Sequence, residues 1–204
     1  IYQRISAETA RLARLIDNVL NISRLERRRL VVHPIYGSID ELVRRFADQF
    51  GIVYQNKNFE LRLELTTGDR QFLFDPDAMT QVLVNVVDNA VKFSIKAEVR
   101  FVEVKTRLTP DGGAILSVRD YGSGVPEGEL SSIFKPFYRA ENELVRSTNG
   151  TGIGLSLVRG FCDLMKIRPQ ARNASPGLEI SFLFPPPKER KAVVEERSQE
   201  WGDE

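Results

Sequence analysis

The chain of 204 residues has little sulfur and almost no imidazole: one cysteine, Cys162, and one histidine, His33. A lone thiol excludes an intrachain disulfide and is compatible with a reducing compartment. Charge of one sign is also missing. Lys plus Arg number 29 and Asp plus Glu 28, a net charge of +1, which leaves no electrostatic footprint for nucleic acid or an anionic membrane surface. No run of about 18 apolar residues is present, so the sequence holds no membrane span, and it shows neither a signal peptide nor an internal repeat. What is there is an ordinary apolar fraction of 42%, enough for a sizeable core, in a length that suits one domain and an extra element. The sequence begins at Ile1, already inside a helical pattern, and is expected to be a piece of something longer.

Residues 1–28 read as a helix. Ile5, Leu12 and Val19 recur every seven residues, with Leu15 and Ile22 between them. That is a heptad seam, and a seam needs another helix to bury it. From Leu30 the pattern turns mixed. "LVVHPI" and "FELRLEL" look like strands, and "SIDELVRRFADQFGIVYQ" like a helix capped by Ser38, with Glu41 completing a capping box. "EVRFVEVKTRL" and "AILSVRD" read as strands joined by the hairpin loop "TPDGG"; "TGIGLSLVRGFCDLM" is helical and "LEISFLF" a closing strand. A proline break and a charged segment follow. Three parts are expected: residues 1–29, residues 30–185 and a tail over 186–204.

The most informative segment is "DPDAMTQVLVNVVDNAVKFS". Asp75 is a good N-cap and Pro76 suits the first helical position. At about 100° per residue, Gln81, Asn85, Asp88, Asn89, Lys92 and Lys96 share one stripe, opposite Met79, Val82, Leu83, Val86, Val87, Ala90 and Phe93. A merely solvated face has no need of short amides one turn apart, which are poorer helix formers than Glu, Lys or Gln. Two carboxamides and a lysine offer oxygen ligands to a hard cation and positive charge to a phosphate.

Three later stretches bear glycines or a loop. In "VRDYGSGVP" a β-rich run ends at Asp120, placed to accept from an exocyclic amine, and Gly122 and Gly124 let the backbone approach a flat base. In "NGTGIGLSLV", Gly150, Gly152 and Gly154 open a helix, whose free N–H groups make an anion site. A polar loop precedes it, which excludes the Rossmann fingerprint, since that requires a strand there. Between them lies "IFKPFYRAENELVRSTNG", an apolar clump of Ile133, Phe134, Phe137 and Tyr138 followed by a polar loop of lid length.

In order, "NVVDNAVKF", "DYGSG", "FKPFYR" and "GTGIGLSLV" resemble the asparagine, first glycine, phenylalanine and second glycine boxes of sensor histidine kinases. These belong to the gyrase, heat-shock-protein-90, kinase and MutL-like ATP-binding superfamily. "RLARLIDNVLNISRLERRRL" looks like the second helix of their dimerisation and phosphoacceptor hairpin, and the likeness covers residues 5–184. The resemblance implies an α/β two-layer sandwich of a mixed sheet and helices, the Bergerat-type ATP-binding fold, preceded by one long helix. It implies ATP and Mg2+ as ligands, with Asn89 on the metal and Asn85 beside it positioning metal and phosphates. Lys92 would contact phosphate, with Arg139 and Arg146 candidates for the γ-phosphate. Asp120 would take the adenine amino group over Gly122 and Gly124. Tyr138, Gly150, Thr151, Gly152, Ile153, Gly154 and Leu155 would wrap the nucleotide. Asn85, Lys92 and Arg139 would carry the chemistry.

The same resemblance implies a homodimer in the full-length protein, a response-regulator receiver domain as partner, and a cytoplasmic location for this region, with no membrane or nucleic-acid contact of its own. ATP-hydrolysing members of the superfamily generally place a glutamate where Asn85 stands. An amide cannot take a proton, whereas neutral histidine already presents a lone pair, so Asn85 favours transfer to histidine over hydrolysis. A non-catalytic nucleotide-binding or partner-docking module, or an ATPase, are the alternatives.

Two departures stand out. His33 precedes a proline, which disfavours helix, so it is expected to be a structural strand residue and the phosphoacceptor to lie upstream, outside this sequence. The family's last glycine box is eroded to "MKIRPQARNASPGLEISF", with only Gly177, and is expected to serve strand turns more than ligand contacts. Cys162, in a helical pattern, is expected in the core.

Overall fold

The computed structural model describes residues 9, 16, 18–138 and 152–187. A five-stranded mixed sheet has the order β2-β4-β5-β7-β6, built from β2 (Glu60–Leu65), β4 (Phe101–Leu108), β5 (Ala114–Arg119), β6 (Arg168–Asn173) and β7 (Leu178–Phe184). Only β2 and β4 run parallel, and a parallel pair needs a crossover. Here it contains α3 (Pro76–Phe93). A separate antiparallel pair joins β1 (Ile35–Ser38) to β3 (Gln71–Phe74). Helices α2 (Ile39–Gln55), α3 and α4 (Gly154–Met165) supply the second layer. The core lies between the layers: Val102, Val104, Leu116, Val118, Ile180 and Phe182 from the sheet meet Phe46, Val82, Val86, Leu157 and Cys162 from the helices, all buried. Fully burying such side chains contributes about 1.5–3 kcal/mol each, so this interface is what holds α3 in place.

Helix α2 begins as its sequence dictates. Ser38 Oγ accepts from Glu41 N at 3.2 Å. The box is only half made, because the Glu41 carboxylate turns to Arg45 instead. Asp40, fully buried in the first turn, accepts from Thr67 Oγ1, Thr106 Oγ1 and Gly68 N. Burial pushes its carboxyl up, yet the hydroxyl and amide donors outweigh it and hold the carboxyl below its ordinary value. This group pins α2 to β4 and to the turn after β2.

Several sequence expectations need correction. The strand over 30–35 starts only at Ile35: Pro34 has no N–H for a ladder, and the His33 N–H donates to Asp75 Oδ2 at 2.7 Å. His33 is therefore an exposed connector, not a strand residue. Strands β3 and β6 are not announced by the sequence pattern. Lys96 falls in a turn beyond the end of α3, off its stripe. Phe137 does not join the apolar clump; it is 66% exposed at φ 60°, while Ile133 is buried and Phe134 half-buried.

The first helix, α1, is described over 18–26. Its heptad positions split. Val19 is exposed, but Ile22 joins the core of the sandwich, so the end of α1 lies on its own domain. Leu25 fills a notch at Gly160 of α4, where an added Cβ would stand 2.3 Å from Leu25 Cδ2. A glycine inside a helix costs about 1 kcal/mol against alanine; at this place it makes room for the crossing side chain. The tail over 188–204 lies outside the described residues.

Candidate functional site

Helix α3 is fixed at its start. Asp75 Oδ1 accepts from Asp77 N at 2.9 Å and Ala78 N at 3.1 Å, and Asp75 N donates to Met165 Sδ at 3.3 Å. Its apolar side from Ala78 to Val91 is buried, which turns Asn85, Asp88, Asn89 and Lys92 to the half-buried margin of the helix layer. Phe93, placed by the periodicity on the apolar side, is also only half-buried. The Lys57 ammonium lies 3.4 Å from the Asp88 carboxylate, an exposed pair worth well under about 1 kcal/mol. The Lys92 ammonium stands 4.9 Å from the centroid of the Phe93 ring.

Two glycines mark where other segments close on α3. At its C-terminal end, a Cβ on Gly122 would sit 2.7 Å from the Phe93 carbonyl oxygen and 3.2 Å from Asp120 Oδ1. Two turns earlier, a Cβ on Gly154 would sit 2.9 Å from Asn85 Oδ1, while Asn85 Nδ2 donates to Gln81 O at 2.9 Å. Asn85 and Phe93 are eight residues apart, a separation along the helix of about 12 Å at 1.5 Å per residue. Asn89 and Lys92 lie between the two contacts. The Asp120 end and the Gly154 end thus face one helix margin from opposite ends.

Asp120 follows the last residue of β5 and is 6% exposed. Its Oδ1 accepts from Gly122 N at 2.9 Å and Leu178 N at 3.1 Å. No described donor reaches Oδ2, so one lone-pair-bearing oxygen is left over. Burial pushes this carboxyl above its ordinary value, against the two amides and the Arg119 guanidinium, which pull it down.

At the other end, α4 starts at Gly154 with Ile153 as N-cap and no side-chain cap. Ser156 Oγ turns to Ile153 O at 2.8 Å, and among the described residues no side chain caps the helix start. Such a terminus carries partial positive charge. Ile153 is buried and Leu155 half-buried, packed on the core; what they present at the helix entry is backbone.

Gly152, at φ 70°, is held against the phenylalanine box: a Cβ there would stand 2.8 Å from Tyr138 O, and Phe137 N donates to Gly152 O at 3.1 Å. Tyr138 Oη donates to the Glu129 carboxylate. Arg139, Arg146, Gly150 and Thr151 lie outside the described residues. Cys162 is buried, and burial pushes its thiol up to about 12, so it is a packing group and no nucleophile.

Sequence reasoning missed the residues that hold Asp120. Asn173, ending β6, clamps the turn after it: Oδ1 accepts from Val125 N at 2.9 Å and Nδ2 donates to Val125 O at 2.7 Å. Gly124 faces this clamp, with a would-be Cβ 2.8 Å from Asn173 Oδ1. Gly177, at φ 93°, presses on the Asp120 carbonyl, and Leu178 then pairs with Asp120 in both directions. The eroded glycine segment does make a strand turn, and that turn is also the back wall of the carboxylate. The lone Gly177 was the available signal.

Residues 74–188 match the family described as histidine kinase-, DNA gyrase B-, and HSP90-like ATPase, and the chain belongs to that family. It is a histidine-kinase-type ATPase catalytic domain. Among relatives, it is 33% identical over 188 residues to the sensor protein kinase PilS of Pseudomonas aeruginosa, covering 90% of this chain and 33% of that protein. The chain spans a third or less of the length of the curated relatives it matches first. Among solved structures, full-length ShkA in complex with AMPPNP is 25% identical with a TM-score of 0.71, covering 86% of this chain and 36% of that one. Histidine kinase ThkA in complex with the response regulator protein TrrA shares the fold, with 23% identity and a TM-score of 0.70, covering 90% of this chain and 50% of that one.

Proposed function

We propose that this domain holds Mg-ATP along the margin of α3 and delivers its γ-phosphoryl group to a histidine on a helix outside this sequence, for relay to a receiver-domain aspartate. The observation that carries the reading is the pair of contacts about 12 Å apart on α3, Asp120 with Gly122 at Phe93 and Gly154 at Asn85. That separation suits a nucleoside triphosphate with its base at one end and its phosphates at the other.

The residues fit both groups. Asp120 keeps an acceptor oxygen for the adenine amine, and the uncapped first turn of α4 offers N–H donors to phosphate. Among the described residues, no group of three or more His, Cys, Asp or Glu could hold a metal. A cation here would take few protein ligands and complete its shell from phosphates and water, as Mg2+ does. Asn89 would supply a carboxamide oxygen and Lys92 a charge against phosphate. When bound, the ion supplies neutralisation of charge on the phosphate oxygens. Asn85 orients and does not abstract a proton, because its amide cannot. That favours a histidine acceptor, which needs no base, over water. The family supports ATP as the ligand, and the complexes of ShkA with AMPPNP and of ThkA with TrrA suggest the nucleotide class and the partner class. A homodimer and a cytoplasmic location follow from the same reading.

The test is phosphotransfer. The full-length protein, incubated with γ-labelled ATP, is expected to gain acid-labile phosphate, and this region alone to gain none. Stable acid-labile label on this region alone, or steady phosphate release lost on Asp120→Ala, contradicts transfer to an upstream histidine.

A further inference from the structure

Arg119 and Asp120 are neighbours at the end of β5, and strand alternation sends them to opposite faces of the sheet. Asp120 lies with Val118 on the buried side, and Arg119 on the side away from the helices. There Arg119 stands in register between Glu103 of β4 and Glu179 of β7. Among the described residues it pairs with neither. Glu179 is bound to Arg172 at 2.8 Å, and Glu103 has the Lys105 ammonium at 3.6 Å. Arg119 Nη2 donates instead to Ala174 O at 3.1 Å, while Nε is buried without a hydrogen-bond partner. The guanidinium lies 4.6 Å from the centroid of the Tyr121 ring, which packs edge-on against Phe101 at 4.8 Å between centroids. Ala174 opens the turn that backs Asp120: Ala174 N donates to Gly177 O at 2.8 Å, and Leu178 N reaches Asp120 Oδ1 at 3.1 Å. A cation with no carboxylate of its own keeps its field for the anion next to it.

We propose that Arg119 is a positioning residue for the base-reading carboxylate: held by the Ala174 carbonyl and the Tyr121 ring, it sets an unpaired positive charge behind Asp120 that keeps it an acceptor. The inference rests on the reading of Asp120 as the base end. The other charged or titratable side chains on the elements around Asp120 are engaged elsewhere. Arg172 and Glu179 hold each other, Glu103 holds Lys105 and the Tyr121 hydroxyl, and Lys92, at the end of α3, stands over the Phe93 ring. Burial pushes the Asp120 carboxyl up, and Arg119 pulls it down. The direction matters for recognition. An ionised carboxylate only accepts, as an adenine amine requires, whereas a protonated one carries a donor of its own.

Carbon-13 NMR of the ligand-free chain, following the Asp120 carboxyl across acid pH and assigned by its absence in Asp120→Asn, tests this together with calorimetry of AMPPNP over the same range. Arg119→Gln keeps an amide donor and removes the charge; Arg119→Lys keeps the charge. Asp120 is expected to titrate at higher pH in Arg119→Gln than in wild type, and at the wild-type midpoint in Arg119→Lys. AMPPNP affinity should fall on acidification at a correspondingly higher pH in Arg119→Gln. Well above the midpoint it should stay within about threefold of wild type. An arginine that merely braced the turn would lower affinity by one factor at every pH and leave the Asp120 midpoint unmoved. That result overturns the proposal, as does an Arg119→Lys midpoint raised as far as that of Arg119→Gln. If Arg119→Gln does not fold, Arg119→Lys decides alone: a wild-type midpoint supports the proposal and a raised one overturns it. A fixed midpoint with affinity still lost as Asp120 protonates leaves the base end standing without Arg119. A midpoint that moves while affinity does not follow, or Asp120→Asn binding AMPPNP like wild type, removes Asp120 from the base end and the proposal with it.

Discussion

Asp120→Asn is expected to abolish nucleotide binding while leaving the ligand-free domain at least as stable as wild type. The amide keeps an oxygen for Gly122 N and Leu178 N, the two donors that fix the present Oδ1. The outward group then becomes an NH2, a donor facing the donor amine of adenine. Loss of a charged hydrogen bond and creation of a donor–donor contact together cost about 3 kcal/mol, on the order of 100-fold in affinity. Stability moves the other way. The folded-state pKa of Asp120 is raised above its ordinary value of 3.8, chiefly by burial. Such a group favours the folded state fully below its unfolded value, and that contribution is lost as pH rises through the folded value. At pH 7 the ionised carboxylate is a net cost that asparagine does not carry. Urea denaturation should therefore show the variant's advantage at pH 7 and its disappearance in acid, and titration of an ATP analogue should show no saturable binding.

Gly177→Ala is expected to be the most damaging single methyl in the domain. A Cβ there would lie 1.9 Å from the Asp120 carbonyl oxygen, 2.6 Å from its carbon and 2.9 Å from Tyr121 Cα, all backbone atoms. The φ of 93° adds strain of about 1–2 kcal/mol. The collision can be relieved only by moving β7 off the strand end that presents Asp120. We expect at least about 3 kcal/mol of destabilisation, roughly 6–12 °C in melting temperature, and a loss of nucleotide affinity as Leu178 N leaves the carboxylate. Gly128 is the control. Its φ is 90° with nothing within 4 Å of a Cβ, so Gly128→Ala should show the strain alone. Equal effects from the two variants would contradict the collision.

The side of the candidate site proposed to face the ligand is read from the sequence through local patterns. Asp75 and Pro76 announce the start of α3, the amides stand one turn apart, and the glycines open a helix, all within short windows. The supporting side was hidden because it is assembled across the sheet. β6 reads "RPQARN", polar with a proline, and becomes a strand only by pairing with β7. Asn173 and Gly177 are unremarkable turn residues until the sheet sets them against Val125 and Asp120, some 48 and 57 residues away in sequence. β3 is four residues long and depends on β1 in the same way. Heptad spacing could not tell that Ile22 serves the sandwich while Val19 does not, since both sit on one repeat.

The central claim is that one nucleotide spans α3 from Asp120 to the start of α4. Calorimetric titration of AMPPNP into the domain, in Mg2+ and in EDTA, with wild type and Asn89→Ala, tests it most directly. The account predicts a single site, weakened on the order of tenfold by EDTA, with Asn89→Ala already weakened in Mg2+ and nearly insensitive to its removal. Wild-type affinity equal in Mg2+ and EDTA, or an Asn89→Ala variant with the full wild-type metal dependence, would contradict it.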